Sequence, residues 1–583
     1  MKNQNQNLLV AVAIWLACMA GLYVFFPNLM GKRTATEQKP PSAVQAPAHP
    51  GTPAASTPQA SAPGALPKSP EVPRGTSAPR FPLRLVTLET PRARVVATSE
   101  GAAVQSIQLL GDKWTRHKGQ KDESQVDLVP PRAGEPLPFT TAVTAADGST
   151  LVPAATSYEL VRQDATSATF RAEQEGVTVT KTLSVNPGNY GIALAVEVKA
   201  PQGVAGQLSV LSGAHAEEPQ GGFFTPHSNT PARAICAAGD KKVERIAIGA
   251  KTPVFEAAAA QFAGIDEQYF LNAVLPPAGL SASCRLEAQG EKSGSLIAAL
   301  IVPLQVSPGV SVQLAFQGYA GPKSEADLTA VGAPLKHSIE WGFWSVIAEL
   351  LLGIMKFFYR AVPPHNWGVA IILLTLAMKV LTFPLQHKSM KSMQEMQRIQ
   401  PQLEEMKKKY AGDTQRQNLE QMKLFKEHGV NPMGSCLPMV IQMPIWFALY
   451  TTLQVSVELY NEPFIRRWID DLTSRDPYYV LPIAMGITMV LTQMLTPTPM
   501  SNPSQKIMGY VMSGFFSLLM LSLPSGLTLY IFTNNILSIA QQMYLRRKLH
   551  SPKASDQTVE VDKKKDDRQG GGGAAAGRAK LRV

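Results

Sequence analysis

The chain of 583 residues carries a formal net charge of +11, with 45% hydrophobic residues and four cysteines. That balance fits a membrane protein with a sizeable soluble part and excludes a purely soluble enzyme. Cys18, Cys236, Cys284 and Cys436 show no metal-ligand spacing, and the basic excess points to anionic lipid or ribosomal RNA.

Leu8 to Phe26 is an apolar run of about nineteen residues behind the polar head MKNQNQN. It continues past any small-residue site into GLYVFF, which predicts an uncleaved transmembrane anchor within residues 1–30. Lys2 precedes it and Lys32 and Arg33 follow, so local charge does not orient it. Residues 31–80 are dense in Pro, Ala and Ser and read as an extended linker. Residues 81–330 alternate with period two, as in ATFRAEQEGVTVTKTLSV and GVSVQLAFQGY, between Gly and Asn-Pro-Gly turns. This predicts an all-β sandwich without a catalytic cluster, in which His215 and His227 are loop residues rather than ligands.

Ser338 to Arg360 carries Ser345, Glu349, Lys356 and Arg360 at steps of four, seven and four. One polar face on a helix rich in Trp and Phe predicts an amphipathic helix lying in the membrane interface over residues 338–362. Pro363-Pro364 breaks it. Asn366 to Leu385 is then apolar and, at about twenty residues, long enough to cross a bilayer. Its one charge, Lys379, lies roughly 20 Å along the helix, inside the membrane but in one half of it. An intramembrane Lys costs about 2.5–3.5 kcal/mol, so it is expected to face a bundle interior or a wet cavity. Thr375, Thr382 and Gln386 extend a polar stripe from it.

Lys388 to His428 has nine Lys/Arg against six Asp/Glu and a stripe of Met390, Met393, Met396, Leu403, Met406 and Tyr410. With the break at Ala411-Gly412-Asp413, this predicts a helical hairpin over residues 386–430. Four spans follow, at Leu437–Val455, Val480–Leu495, Ile507–Leu523 and Leu527–Met543, and a basic tail over 546–583. Placing the hairpin and tail in the cytoplasm satisfies the positive-inside rule. The expected fold is therefore an α-helical membrane bundle of six transmembrane helices, five of them forming a core over 366–545. Both termini are cytoplasmic and the β-sandwich is periplasmic.

Lys379, Thr382, Gln442, Thr492, Gln493, Ser513, Asn534, Asn535, Ser538 and Gln541 fall toward the cytoplasmic side or mid-membrane, while the outer halves are mostly apolar. A set so biased and centred on a charge predicts a water-filled groove open to the cytoplasm and closed outside. No His lies within a span, Ser525 in PSG lacks a partner, and no phosphate loop occurs, so no enzyme is expected. A secondary transporter using Lys379 as counter-charge to an anionic solute is the alternative, although no internal repeat is evident.

These residues also carry a resemblance. NWG at Asn366, Lys379 with the TFPL that follows, GVNPMGSCLPMVIQMPIWFALY from Gly429, DPYYVLPIAMGITM from Asp476, and PSGLTLY with its IAQQ end resemble the YidC-type membrane protein insertases of the long, Gram-negative form. The resemblance implies an inner-membrane insertase and chaperone that works alone or with the Sec translocon. Its implied substrates are nascent membrane proteins; the hairpin and tail would meet ribosomes or membrane lipids. No cofactor or metal is implied. By motif, Lys379 is the groove charge, with Thr375, Gln442 and Asn534 in the groove and Trp446 and Tyr530 on the exit path. Lys379 stands where such proteins most often carry Arg, and Ile531 where many carry a second aromatic. Cys236 and Cys284 are a candidate disulfide in an oxidising compartment, excluded if their Cα atoms lie more than about 7 Å apart.

Overall fold

The computed structural model describes residues 81–116, 123–129, 134–217, 231–239, 242–429, 437–495 and 503–549. The expected anchor and linker, His227, and the tail beyond residue 549 lie outside them.

Period-two alternation makes strands here because it buries one face of each. In Val177–Val185 every second residue from Val177 is buried, and Gly191–Lys199 buries Ile192, Leu194, Val196 and Val198. The strands between Leu85 and Pro322 form a nine-stranded and a six-stranded sheet, with smaller sheets of three and two strands. Both large sheets feed one apolar core: Phe170, Leu194 and Phe316 come from the first, Leu286, Leu300 and Val302 from the second. A disulfide joins Cys236, on Arg233–Ala238 of the larger sheet, to Cys284, on Ser283–Gln289 of the smaller, with Cα atoms 6.4 Å apart. The bridge spans 48 residues, and closing such a loop restricts the unfolded chain by about 4 kcal/mol. His215 belongs to the strand Val204–Glu217 and not to a loop, because pairing with the strand Ser293–Val306 runs on through it, with His215 opposite Ser295. Its Nδ1 lies 3.0 Å from Glu135 Oε1 and its Nε2 2.9 Å from Ser293 Oγ.

The alternation also turns Lys181 inward, where it is fully buried. Its Nζ donates to the carbonyl oxygens of Gly101 and Phe139, both at 2.8 Å. Those residues have φ of +68° and +66°, so the lysine fastens two left-handed turns to the core. Burial without a carboxylate partner pushes the Lys181 ammonium well below the usual lysine range.

Nine α-helices follow among the described residues: α1 Glu325–Val331, α2 Ser345–Ala361, α3 Trp367–Arg398, α4 Gln400–Lys409, α5 Thr414–Glu427, α6 Leu437–Val455, α7 Val480–Leu495, α8 Pro503–Met520 and α9 Ser525–Leu549. The expected interfacial helix over 338–362 is shorter, because Gly342 turns the chain at φ +69°, which no α-helix contains. Within α2, Ala348, Leu351, Leu352 and Met355 are buried, while Val346, Leu350 and Phe357 on the opposite side are exposed. Ser345, Glu349, Lys356 and Arg360 run along one edge between the two. The span and the first hairpin arm are one helix, α3, since the change from apolar to charged residues is no stop signal and Pro384 is accommodated inside it. The hairpin turn falls at Gly412, φ +104°, with Asp413 capping α5 through Arg416 N. No Gly or Pro follows Gly526 before residue 549, and α9 accordingly runs past Met543. By length and composition, α3 alone among the described helices is apolar and long enough to cross a bilayer; Val480–Leu495 and Gly509–Met520 are apolar but shorter.

The loop between α6 and α7 ties these parts together. Asp471 accepts from Asn461 N, Thr473 N, Thr473 Oγ1 and Ser474 Oγ at 2.6–3.1 Å. Asp476 accepts from Trp468 Nε1, Tyr478 N and Leu481 N at 2.7–3.0 Å, which holds the start of α7. The β-domain docks on the same loop. Lys113 Nζ reaches Glu462 Oε1 at 2.9 Å and Glu458 O at 2.7 Å, and Asn461 Nδ2 donates to the carbonyls of Lys113 and Thr115. Tyr460 lies among Trp114, Tyr269 and Phe270, with ring centroids 5.1–6.1 Å away. From the helical side, Lys356 of α2 pairs with Glu458 at 2.6 Å.

Two outcomes are expected. Lys181→Met leaves two buried carbonyls unpaired, at about 1–3 kcal/mol each, and should lower the unfolding midpoint of the β-domain. The folded state binds this proton less tightly than the unfolded chain, so wild-type stability should gain on the variant as pH rises toward about 10.4. Thermal unfolding followed at several pH values checks both; a constant difference would contradict the linkage. Asn461 is buried at φ +51°, so Asn461→Gly tests its amide without straining the backbone. Loss of two hydrogen bonds, at about 0.5–1.5 kcal/mol each, should speed amide exchange in residues 456–479 and 111–116 while leaving the sandwich core protected.

Candidate functional site

Asn366 starts α3 as its N-cap. Its Oδ1 accepts from Val369 N at 3.1 Å, and its Nδ2 donates to Pro463 O and Phe464 O at 3.0 and 3.1 Å. Gly368 is needed beside it: a Cβ there would lie 2.1 Å from the Phe464 ring. The N-W-G run therefore seats α3 against the α6–α7 loop. Ser525 and Gly526 do the same for α9, donating their backbone N–H groups to Ser474 O and Leu472 O at 2.7 and 2.9 Å.

Packing differs sharply between the two ends of the bundle. At the β-domain end α3 buries Trp367, Gly368, Ala370, Ile371, Leu374 and Thr375, and residues 525–530 of α9 are all buried. Phe447, Ala448, Leu449, Thr452 and Leu453 of α6 and Leu481, Pro482 and Met485 of α7 join them. Toward the hairpin end no residue of 376–386, 441–446, 486–495 or 531–538 is fully buried. The helices thus close at one end and part at the other.

The polar residues lie where the helices part. Lys379 is half-buried, and its Nζ donates to Ser538 Oγ on α9 at 2.7 Å. Ser538 Oγ donates in turn to Asn534 O at 2.8 Å. Thr382 Oγ1 is committed to Met378 O at 2.8 Å, and Gln386 Nε2 reaches Thr382 Oγ1 at 3.3 Å. Thr375, one turn before Lys379, is buried and donates to Ile371 O at 2.7 Å, so its hydroxyl is turned onto its own helix. Gln442 of α6 donates to the Tyr530 hydroxyl of α9 at 2.7 Å.

Gln442, Trp446, Tyr530 and Asn534 share the lining of one cavity of about 280 Å³, together with Met443, Met485, Met489, Phe516, Met520 and Ile531. Lys379 and Thr375 are not in that lining. Asn534 connects the two parts: its side borders the cavity, and its carbonyl holds Ser538 one turn on. The arrangement is a charged polar site beside an apolar pocket whose unbranched methionines adapt to varied shapes. It suits a guest with an apolar stretch and an acceptor or acidic group next to it, and it offers no nucleophile–base pair.

The four methionines of the pocket and the Lys379–Ser538 pairing are features that residue-by-residue reading passes over. Met485 and Met489 at i and i+4 were the available signal for the first. For the second it was the stripe Asn534, Ser538 and Gln542.

Comparison with known proteins identifies the family. A family model described as "YidC periplasmic domain" matches residues 85–354, and one described as "60Kd inner membrane protein" matches 357–553. A membrane protein insertase YidC of an Anaeromyxobacter species is 43% identical over 482 residues, covering 80% of this chain and 85% of that one. The insertase of Geobacter metallireducens is 34% identical over 571 residues, covering 94% and 100%. A crystal structure of an active YidC insertase with its first transmembrane domain resolved aligns over 79% of this chain and 94% of that one, at 18% identity and a TM-score of 0.34. With its periplasmic β-domain, its helical part and full-length relatives at this identity, the chain belongs to the YidC family of membrane protein insertases.

Proposed function

We propose that this insertase receives nascent membrane segments from the cytoplasm in the space between α3, α6 and α9, with Lys379 as its polar floor. The observation that carries this is the polarity of packing: the bundle is closed beside the β-domain and parted beside the hairpin, with Lys379 and Ser538 in the parted half. A segment bound for the periplasm must bring polar and acidic groups across an apolar layer. A groove wet from the cytoplasm shortens the distance over which they lack water. At 4 Å and an effective dielectric near 20, the attraction between the ammonium and a guest carboxylate is about 4 kcal/mol before desolvation. Desolvation takes back part of it, so capture is transient and release is retained. The apolar remainder of the guest then lies against the methionine-lined pocket near Trp446 and Tyr530 and passes to lipid.

In this reading six spans cross the inner membrane with both termini cytoplasmic. The hairpin and the tail meet the ribosome or anionic headgroups, and the Sec translocon is a partner for some substrates. The named relatives are insertases, and nothing in them supports the solute transporter.

The test is a substitution series read by insertion of substrates with acidic or neutral translocated segments. Lys379→Arg should retain insertion. Lys379→Ala and Lys379→Glu should slow acidic substrates about tenfold, equivalent to about 1.4 kcal/mol, and neutral ones much less. The abundance of each variant is followed in parallel. Equal insertion of both substrate classes by Lys379→Ala would remove the charge from the mechanism.

A further inference from the structure

The ammonium of Lys379 needs an explanation for where it stays. A lysine in one half of a membrane helix ordinarily extends toward the nearer headgroups, and Leu385 at the end of the apolar run is only roughly 9 Å further along α3. Nothing on its own helix restrains it: Thr382 is bonded to Met378 O, and Gln386 to Thr382. No carboxylate pairs with it among the described residues. Its one hydrogen-bond partner there is Ser538 Oγ, across the helix interface at 2.7 Å.

Ser538 is oriented for that task. Its own proton goes to Asn534 O at 2.8 Å, so the hydroxyl oxygen meets Lys379 as an acceptor. The choice of a neutral acceptor matters. A carboxylate at this position would neutralise the ammonium and leave little field for a guest. A hydroxyl holds the direction of the side chain and leaves the full charge. An ammonium has three donor protons, so two remain for the acceptors of a guest or for water.

We propose that Ser538 is a positioning residue: it holds Lys379 at depth, on the α9 side of the groove, charged and available. This rests on the groove reading above for its purpose, although the positioning itself can be tested without it. The acceptors it prepares for are carboxylates and backbone carbonyls of an entering peptide segment.

The experiment uses the full chain in inverted inner-membrane vesicles, probed from the hairpin side with a membrane-impermeant N-hydroxysuccinimide ester. Modification of the peptide containing Lys379 is quantified by mass spectrometry. In wild type Lys379 should be labelled slowly. Ser538→Ala should raise its labelling at least threefold as the side chain extends to the headgroups, and Ser538→Thr, which keeps an acceptor oxygen, should stay near wild type. Lysines of the hairpin, such as Lys407 and Lys423, serve as the internal standard, and an unchanged proteolytic pattern shows that each variant is folded. Unchanged Lys379 labelling in a folded Ser538→Ala, or equal increases in Ser538→Ala and Ser538→Thr, would overturn the proposal. Should labelling respond as expected while Lys379→Ala inserts acidic substrates normally, the positioning role stands and the groove reading fails.

Discussion

A single ammonium on an otherwise apolar stretch of α3, bonded across to Ser538 of α9, is the interaction on which the proposed reading of this bundle depends. Leaving Lys379 in hydrocarbon costs about 2.5–3.5 kcal/mol, and no carboxylate among the described residues relieves it. The structure meets the cost with a hydroxyl from α9 and with loose packing on the hairpin side, where water can approach. Loose packing is tolerable only because the other end is tight. There Trp367, Ile371, Leu449, Leu453, Leu527 and Tyr530 form one buried cluster that holds α3, α6 and α9 together.

That tight end depends on a loop rather than on the helices alone. Residues 456–479 receive the caps of α3 and α9, start α7 through Asp476, and take Lys356 from α2. The β-domain adds Lys113, Trp114 and Thr115 to the same loop. Closure of the bundle and attachment of the large domain are therefore one contact network.

Much of this was legible in the residues. The alternation of Val177–Val185 showed a strand, and Asn366 to Leu385 showed a span whose charge lay in one half. What escaped reading depended on register between distant segments. Nothing local relates Lys379 to Ser538, 159 residues away, or Gln442 to Tyr530. Thr375 shares a helical stripe with Lys379, yet it is buried and bonded to Ile371, because the helices close one turn above the charge. The apolar pattern masks the turn at Gly342 that delays the start of α2, and the change from apolar to charged residues after Leu385 gives no sign that α3 continues. The docking of Tyr460 into the β-domain had no sequence signal beyond an aromatic residue in a polar loop.

The central claim is that a nascent segment occupies the space beside Lys379 and the methionine-lined pocket rather than the outer surface of the bundle. Photo-crosslinking of a ribosome-stalled membrane protein in native vesicles tests it most directly, with the crosslinking residue placed at Gln442, at Trp446, or at Leu381. Leu381 is 70% exposed, only two residues beyond Lys379. Adducts to the stalled chain should form from Gln442 and Trp446 and be weak from Leu381. Equal adducts from all three, or adducts from Leu381 alone, would contradict entry through the groove.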